Sequence, residues 1–209
     1  MFAKLTTAWV VVRDRTGRLL WHNAAYADMV ERPEGVATGT TFDAMVPANI
    51  YQDRMRLVRQ AIESNSQYSY VQLMWGRRTI THVWPLDPSD FPDGGWLAVG
   101  EPGFTARGDD LPLAEVPHWG QLESLSRREL EVLYYVAKGC TLAETAAAVH
   151  RSAKTIERHV SSLHRKLHLR GRAAVVRFAA ERGLHAFTPE QWRRLTEHRR
   201  SSRPAGDDE

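Results

Sequence analysis

The stretch from Leu125 to Phe178 leaves this chain the least freedom. Three helix starts fall inside it, each opened by a side-chain oxygen able to accept from free backbone N–H groups. Ser126 is followed three residues later by Glu129, and Thr141 three residues later by Glu144, the pattern of a capping box. Ser152 stands immediately before a further periodic run. A bundle of short helices follows from this. Only His150, Arg151 and Ser152 separate the second run from the third, which is helix-turn-helix spacing.

From Ala153 to about His168 the apolar residues Ile156, Val160, Leu163 and Leu167 recur at steps of four, three and four, so they share one face and are expected in the core. Lys154, Glu157, Arg158, Ser161, Arg165 and Lys166 take largely other directions. Between Arg151 and Arg172 seven Lys or Arg stand against the single acid Glu157. A charge run by itself reads equally well as a solvated face. On the second helix of a tight pair, with Arg, Ser and Glu among the bases, it reads better as a surface for a DNA major groove.

These residues resemble the LuxR-type (NarL/FixJ C-terminal) DNA-binding domain of bacterial transcription regulators. The match runs through Leu125, Ser126, Arg128, Glu129, Val132 and Leu133, then Gly139, Thr141, Glu144, Ala146, Ser152, Thr155, Ile156, His159, Lys166, Leu167 and Arg172. The resemblance implies an all-α four-helix domain with helices near 127–138, 142–149, 153–168 and 172–182. Thr145 stands where the family usually has Ile, Val149 at a Leu position and Gly171 at a polar one, which removes apolar volume from a small core.

The resemblance also assigns contacts. Glu157, Arg158 and Ser161 match the base-reading positions: an arginine fork can donate twice to guanine and a carboxylate can accept from the cytosine amino group. For Glu157 an intrahelical partner to a neighbouring arginine stays open. Thr141, Lys154, Thr155, Arg165 and Lys166 are assigned to phosphate, where they position without reading sequence. For His159 and Arg172, DNA contact and a structural role both stay open. The fourth helix is the family's usual dimer contact, with Val175 and Val176 supplying apolar surface.

The first hundred residues have another character. Trp9–Arg13 and Arg18–His22 read as strands around an Asp14–Gly17 turn, and Ala24 to Val30 as a short helix. A loop with Pro33, Gly35 and Gly39 follows, then a short helix from Thr41 to Met45. A firmer helix from about Asn49 to Ser64 has Met55, Val58, Ala61 and Ile62 on its apolar face. Gln67 to Met74, Arg77 to Pro85 and Trp96 to Gly100 complete five strands. Helices must then cover one face of an antiparallel sheet, an α+β arrangement.

Val11, Val12, Asp14, Gly17, the run Arg18 to Trp21, Asn23 to Ala25 and the closing Gly95, Trp96 and Val99 resemble a PAS domain. That implies a sensor or dimerisation module. Tyr68, Tyr70, Met74, Trp84 and Trp96 suit either a small apolar pocket or plain core, so a small-molecule ligand stays open. His22 and His82 read as structural or surface-exposed, and Asn23 as the brace of a strand-to-helix corner. No cofactor and no metal is expected, since one cysteine, Cys140, cannot build a thiolate-rich site.

The expected organisation is a PAS-like domain over 1–101, a linker over 102–120, a LuxR-type domain over 121–183, a C-terminal helix over 184–200 and a disordered tail over 201–209. Residues 121–180 hold eleven basic and five acidic side chains while 1–100 balance at ten each, so the positive charge gathers where phosphate attraction needs it. No apolar run is long enough to span a bilayer, and a soluble cytoplasmic protein without membrane contact is expected. The reading is a sequence-specific, non-enzymatic transcription regulator. Its partners are double-stranded DNA and a second copy, with RNA polymerase also open. The alternative is an interaction or adaptor protein that uses both domains for protein contacts.

Overall fold

The computed structural model describes residues 8–30, 36–103 and 109–198. Two compact units emerge, one of Met1–Trp75, Thr79–Pro102 and Asp110–His118, the other of Gly76–Arg78, Gly103–Asp109 and Trp119–Glu209. The expected loop residues Pro33 and Gly35, and the tail from 199 onward, lie outside the described residues.

The first unit is an antiparallel sheet with helices on one face. Its elements are β1 (Trp9–Asp14), β2 (Leu19–His22), α1 (Ala24–Met29), α2 (Ala48–Ser64), β3 (Tyr68–Met74), β4 (Arg77–Pro85) and β5 (Gly95–Pro102), in sheet order β2-β1-β5-β4-β3. Alternation sets the faces. Trp9, Val11 and Leu19 join Trp96, Ala98, Val83 and Tyr70 beneath α1 and α2, packed on Met29, Leu57, Val58 and Ala61. Asn23 braces the β2–α1 corner: its Oδ1 accepts from the N–H groups of Val10 at 3.0 Å and Tyr26 at 3.1 Å, and its Nδ2 donates to the Ala8 carbonyl at 2.8 Å. Gly100 sits beneath the Trp9 indole, where an added Cβ would lie 1.9 Å from Cε2, so no larger residue fits.

The expected helix from Thr41 to Met45 does not form. The Thr40 carbonyl accepts from the Leu19 N–H at 2.9 Å and the Phe42 N–H donates to Gly17 at 3.1 Å, while Arg18 and Thr41 form an isolated bridge. The Met45 N–H donates to the Phe42 carbonyl at 3.0 Å, a single turn with no helix built on it. At the other edge, residues 112–118 run beside β3. Val71 N–H donates to Pro112 at 2.9 Å, Ala114 to Val71 at 2.8 Å and His118 to Leu73 at 3.0 Å. Part of the proline-rich stretch that reads as linker is therefore the cover of a sheet edge.

The second unit is helical: a 3-10 turn (Gly120–Ser124), α3 (Arg127–Ala137), α4 (Leu142–Ala148), α5 (Ala153–Lys166), α6 (Arg172–Glu181) and α7 (Pro189–His198). Both expected capping boxes are present. Ser126 Oγ accepts from the Glu129 N–H at 3.3 Å and Thr141 Oγ1 from the Glu144 N–H at 3.2 Å, while each glutamate carboxylate accepts from its cap's N–H at 2.7 Å. α3 is the central helix, with Leu130, Val132, Leu133 and Val136 buried against Ile156, Leu163, Val175 and Leu195. α7 closes over it. Trp192 donates from Nε1 to the Leu130 carbonyl at 3.1 Å and stacks on Tyr134, with ring centroids 5.5 Å apart and planes at 16°. Tyr134 in turn donates to the Phe187 carbonyl at 3.0 Å. Among the described residues no helix is long and apolar enough to cross a membrane.

Candidate nucleic-acid interface

α4 and α5 meet through a turn in which His150 takes a left-handed backbone, φ 53°, and Ser152 caps the next helix, its Oγ accepting from the Thr155 N–H at 3.2 Å. Ile156 and Leu163 are fully buried and anchor α5 against α3. Val160 and Leu167, expected in the same core, are only half-buried. The opposite side carries Lys154, Glu157, Arg158, Ser161 and Arg165, all exposed. At about 100° per residue these five fall within roughly a third of the helix circumference. The structure thus brings all three base-reading candidates onto one stripe with two of the phosphate candidates.

Glu157 forms no ion pair among the described residues, which leaves its carboxylate available on that stripe. Arg165 makes only a long contact to Ser162 Oγ, 3.4 Å. Thr155 is half-buried beside its cap, its hydroxyl 2.9 Å from Ser152 Oγ. Thr141 is exposed at the start of α4, but its own N–H and that of Glu144 are already taken by the capping box.

Other candidates are engaged inside the unit. Lys166 Nζ donates to Glu129 Oε2 at 2.8 Å and to the Ser124 carbonyl at 3.0 Å. Arg172 donates to the carbonyls of Cys140 and Gly139, tying α6 to the α3–α4 turn. Burial, together with the charges of Arg128 and Arg158, lowers the pKa of half-buried His159 and outweighs the opposing Glu129 and Glu131, so its ring favours the neutral form. Val175 is fully buried and offers no surface, whereas Val176 is half-exposed on α6.

The first unit holds a cavity of about 50 Å³ walled by Trp9, Trp75, Trp96, Met29 and Met74. Of the residues expected around a pocket, Tyr70, Met74 and Trp96 line it; Tyr68 and Trp84 do not. Sequence reasoning missed its charged floor. Arg54 is fully buried, paired with Asp53 and donating from Nε to Gln72 at 2.5 Å and from Nη2 to the Val116 carbonyl at 2.8 Å. Gln72 passes the chain on to Thr81 at 2.7 Å. Burial pushes the nearby Tyr70 phenol up to about 12. A signal existed: Arg54 lies on the stripe Ile50, Leu57 and Ala61, at steps that place it on the buried face of α2. The cavity is about a third of the ~150 Å³ that admits benzene in an engineered core. His22 and His82 serve the framework, His22 facing the Asn23 and Val36 carbonyls and His82 the Ser69 hydroxyl at 2.7 Å. Among the described residues no cluster of His, Cys, Asp and Glu could hold a metal ion.

Comparison with known proteins agrees with this geometry. Residues 123–179 match the model for bacterial regulatory proteins of the luxR family, and residues 2–99 the model for the PAS fold. The response regulator protein VraR of Staphylococcus aureus is 39% identical over 62 residues, which is 30% of this chain and 30% of VraR. The chain thus spans less than a third of the length of the curated relatives it matches. A Vibrio cholerae VqmA complex with ligand and DNA is 19% identical over 90% of this chain and 88% of that one, with a TM-score of 0.46. A VqmA dimer solved without target DNA is 20% identical over 91% and 89%, with a TM-score of 0.43. Residues 2–99 are thus similar to the PAS fold and residues 123–179 to the luxR family of bacterial regulatory proteins.

Proposed function

We propose that this protein is a sequence-specific DNA-binding transcription regulator, cytoplasmic and dimeric, whose PAS domain serves as input or assembly module. The observation that carries the reading is the one-sided α5: Ile156 and Leu163 fully buried, with Lys154, Glu157, Arg158, Ser161 and Arg165 exposed on one stripe. A helix held this way by a short turn can enter a major groove. Arg158 and Glu157 supply opposite hydrogen-bonding characters, a fork of donors and a pair of acceptors, so they select different base edges. Lys154 and Arg165 stand before and after them along the same stripe, where they can meet phosphates. One such helix covers few base pairs, and two copies on repeated half-sites provide the remaining selectivity. The exposed apolar part of α6, Val176, is the dimer contact within this unit.

The reading describes a binding protein and not a catalyst. Its test is selection of genome fragments by the full-length protein at near-physiological salt, repeated with Arg158→Ala. Enrichment of a repeated motif that the variant fails to enrich is the expected result. Uniform, salt-sensitive binding by both proteins, or none, sinks the reading and favours an adaptor acting through protein contacts.

A further inference from the structure

We infer that Lys166 is a positioning residue, and that it sets the pitch of the recognition helix by a clamp to Glu129 instead of neutralising a phosphate. The inference rests on the DNA-binding reading above and changes the part that one of its cations plays.

Glu129 is the third residue of α3 and its side chain is 6% exposed. One oxygen of its carboxylate, Oε2, accepts from the Ser126 N–H at 2.7 Å and from Lys166 Nζ at 2.8 Å. A single buried carboxylate therefore fastens the start of α3 to the last turn of α5. Lys166 adds a third tie through the Ser124 carbonyl, 3.0 Å away in the 3-10 turn before α3.

Direction separates Lys166 from the other cations of α5. At about 100° per residue it lies roughly 120° round the helix from the middle of the Glu157, Arg158 and Ser161 stripe. Two of its three N–H donors are used by protein oxygens, and its charge is balanced by the carboxylate it touches. Lys154 and Arg165 meet neither condition, being exposed on the outward stripe.

The clamp sits at the far end of a lever. Arg158 is eight residues, about 12 Å, from Lys166 along the axis, so a tilt of about 10° moves it by about 2 Å. That is enough to break a two-pronged contact to a base edge while the general attraction to phosphate persists. Losing the clamp should accordingly cost selectivity and spare non-specific binding.

The experiment uses full-length protein, a duplex carrying the selected motif and a random duplex, each titrated over a range of salt. Lys166→Met, Glu129→Gln and their combination are compared with Lys154→Ala. Glutamine keeps an acceptor for the Ser126 N–H. Lys166→Met is expected to weaken motif binding at least tenfold, leave random-duplex affinity and its salt slope unchanged, and regain most of the loss as Lys166→Arg. The double variant should be no worse than the poorer single one, since each change opens the same clamp. Lys154→Ala should weaken both duplexes alike and lower the salt slope by about one.

If Lys166→Met behaves like Lys154→Ala, the clamp is wrong and the regulatory reading stands. Full motif selectivity in Lys166→Met also overturns the clamp, and that variant alone decides the matter should Glu129→Gln fail to fold. If the unaltered protein shows no motif preference, the regulatory reading falls and takes the clamp with it.

Discussion

Thr145 occupies the middle of α4 with no exposed surface, and among the described residues its Oγ1 has no hydrogen-bond partner. Its backbone is fully used: the N–H donates to the Thr141 carbonyl at 2.9 Å and the carbonyl accepts from Val149 at 3.0 Å. The hydroxyl is thus a buried polar group that has lost water and gained nothing, at a cost of about 1–3 kcal/mol. Valine has nearly the same shape and no hydroxyl. Thr145→Val should stabilise the helical unit by about 1–2 kcal/mol, raising its midpoint by about 4–16 °C for a unit of this size. Thr145→Ser keeps the hydroxyl and deletes a methyl group, so it should destabilise by about 1 kcal/mol. Differential scanning calorimetry of the full chain reads both. DNA binding should be unchanged, because Thr145 is buried and the reading stripe is on α5. A lower midpoint for Thr145→Val would refute the reasoning, since it would mean that the hydroxyl is bonded in solution.

Arg54→Met should destabilise the PAS unit by about 2–4 kcal/mol, because it leaves Gln72 Oε1 and the Val116 carbonyl without their donor and the buried Asp53 carboxylate with Arg56 as its remaining cation; urea unfolding followed by tryptophan fluorescence measures it, and a loss below about 1 kcal/mol would show that water reaches the site. The helical unit should lose stability in two stages as pH falls. His159 has a lowered pKa, chiefly from burial, so the unfolded chain takes up a proton first and stability declines below about 6.5. Glu129 is pushed up by burial, but hydrogen bonds from Lys166, Ser162 and Ser126 outweigh that and hold it below the usual range. Its contribution is complete above about 4.3 and disappears as pH falls through the lowered folded value. Melting curves between pH 7.5 and 3 should lose the first stage in His159→Gln and show a smaller second stage in Glu129→Gln, since Glu144 and Glu190 also have lowered values.

The helical unit was legible because its helix ends are written in local chemistry. Ser126, Thr141 and Ser152 each cap the helix expected of them, and the observed boundaries fall within two residues of those the LuxR-type resemblance implies. Such signals act over three or four residues and survive without knowledge of the fold. What failed depended on distant partners. Thr41 to Met45 has helical composition, yet Leu19 and Gly17 claim the backbone groups around it. Arg54 lies on the buried stripe of α2, but the partners that accept from it, Gln72 and Val116, arrive from elsewhere in the chain. Lys166 lies in a basic run on the sequence, and only its 37-residue separation from Glu129, closed by folding, shows where its charge is spent.

The seating of α7 has a consequence for recombination. The luxR-family model ends at residue 179, but Phe187, Trp192 and Leu195 beyond it are buried on α3. The unit that sequence comparison recognises is therefore shorter than the unit that folds. A chimaera that exchanges output domains at the customary boundary would leave Tyr134 without its stacked ring and α3 with an oily flank open to water. Its breakpoint belongs after His198, so that the graft carries its own lid.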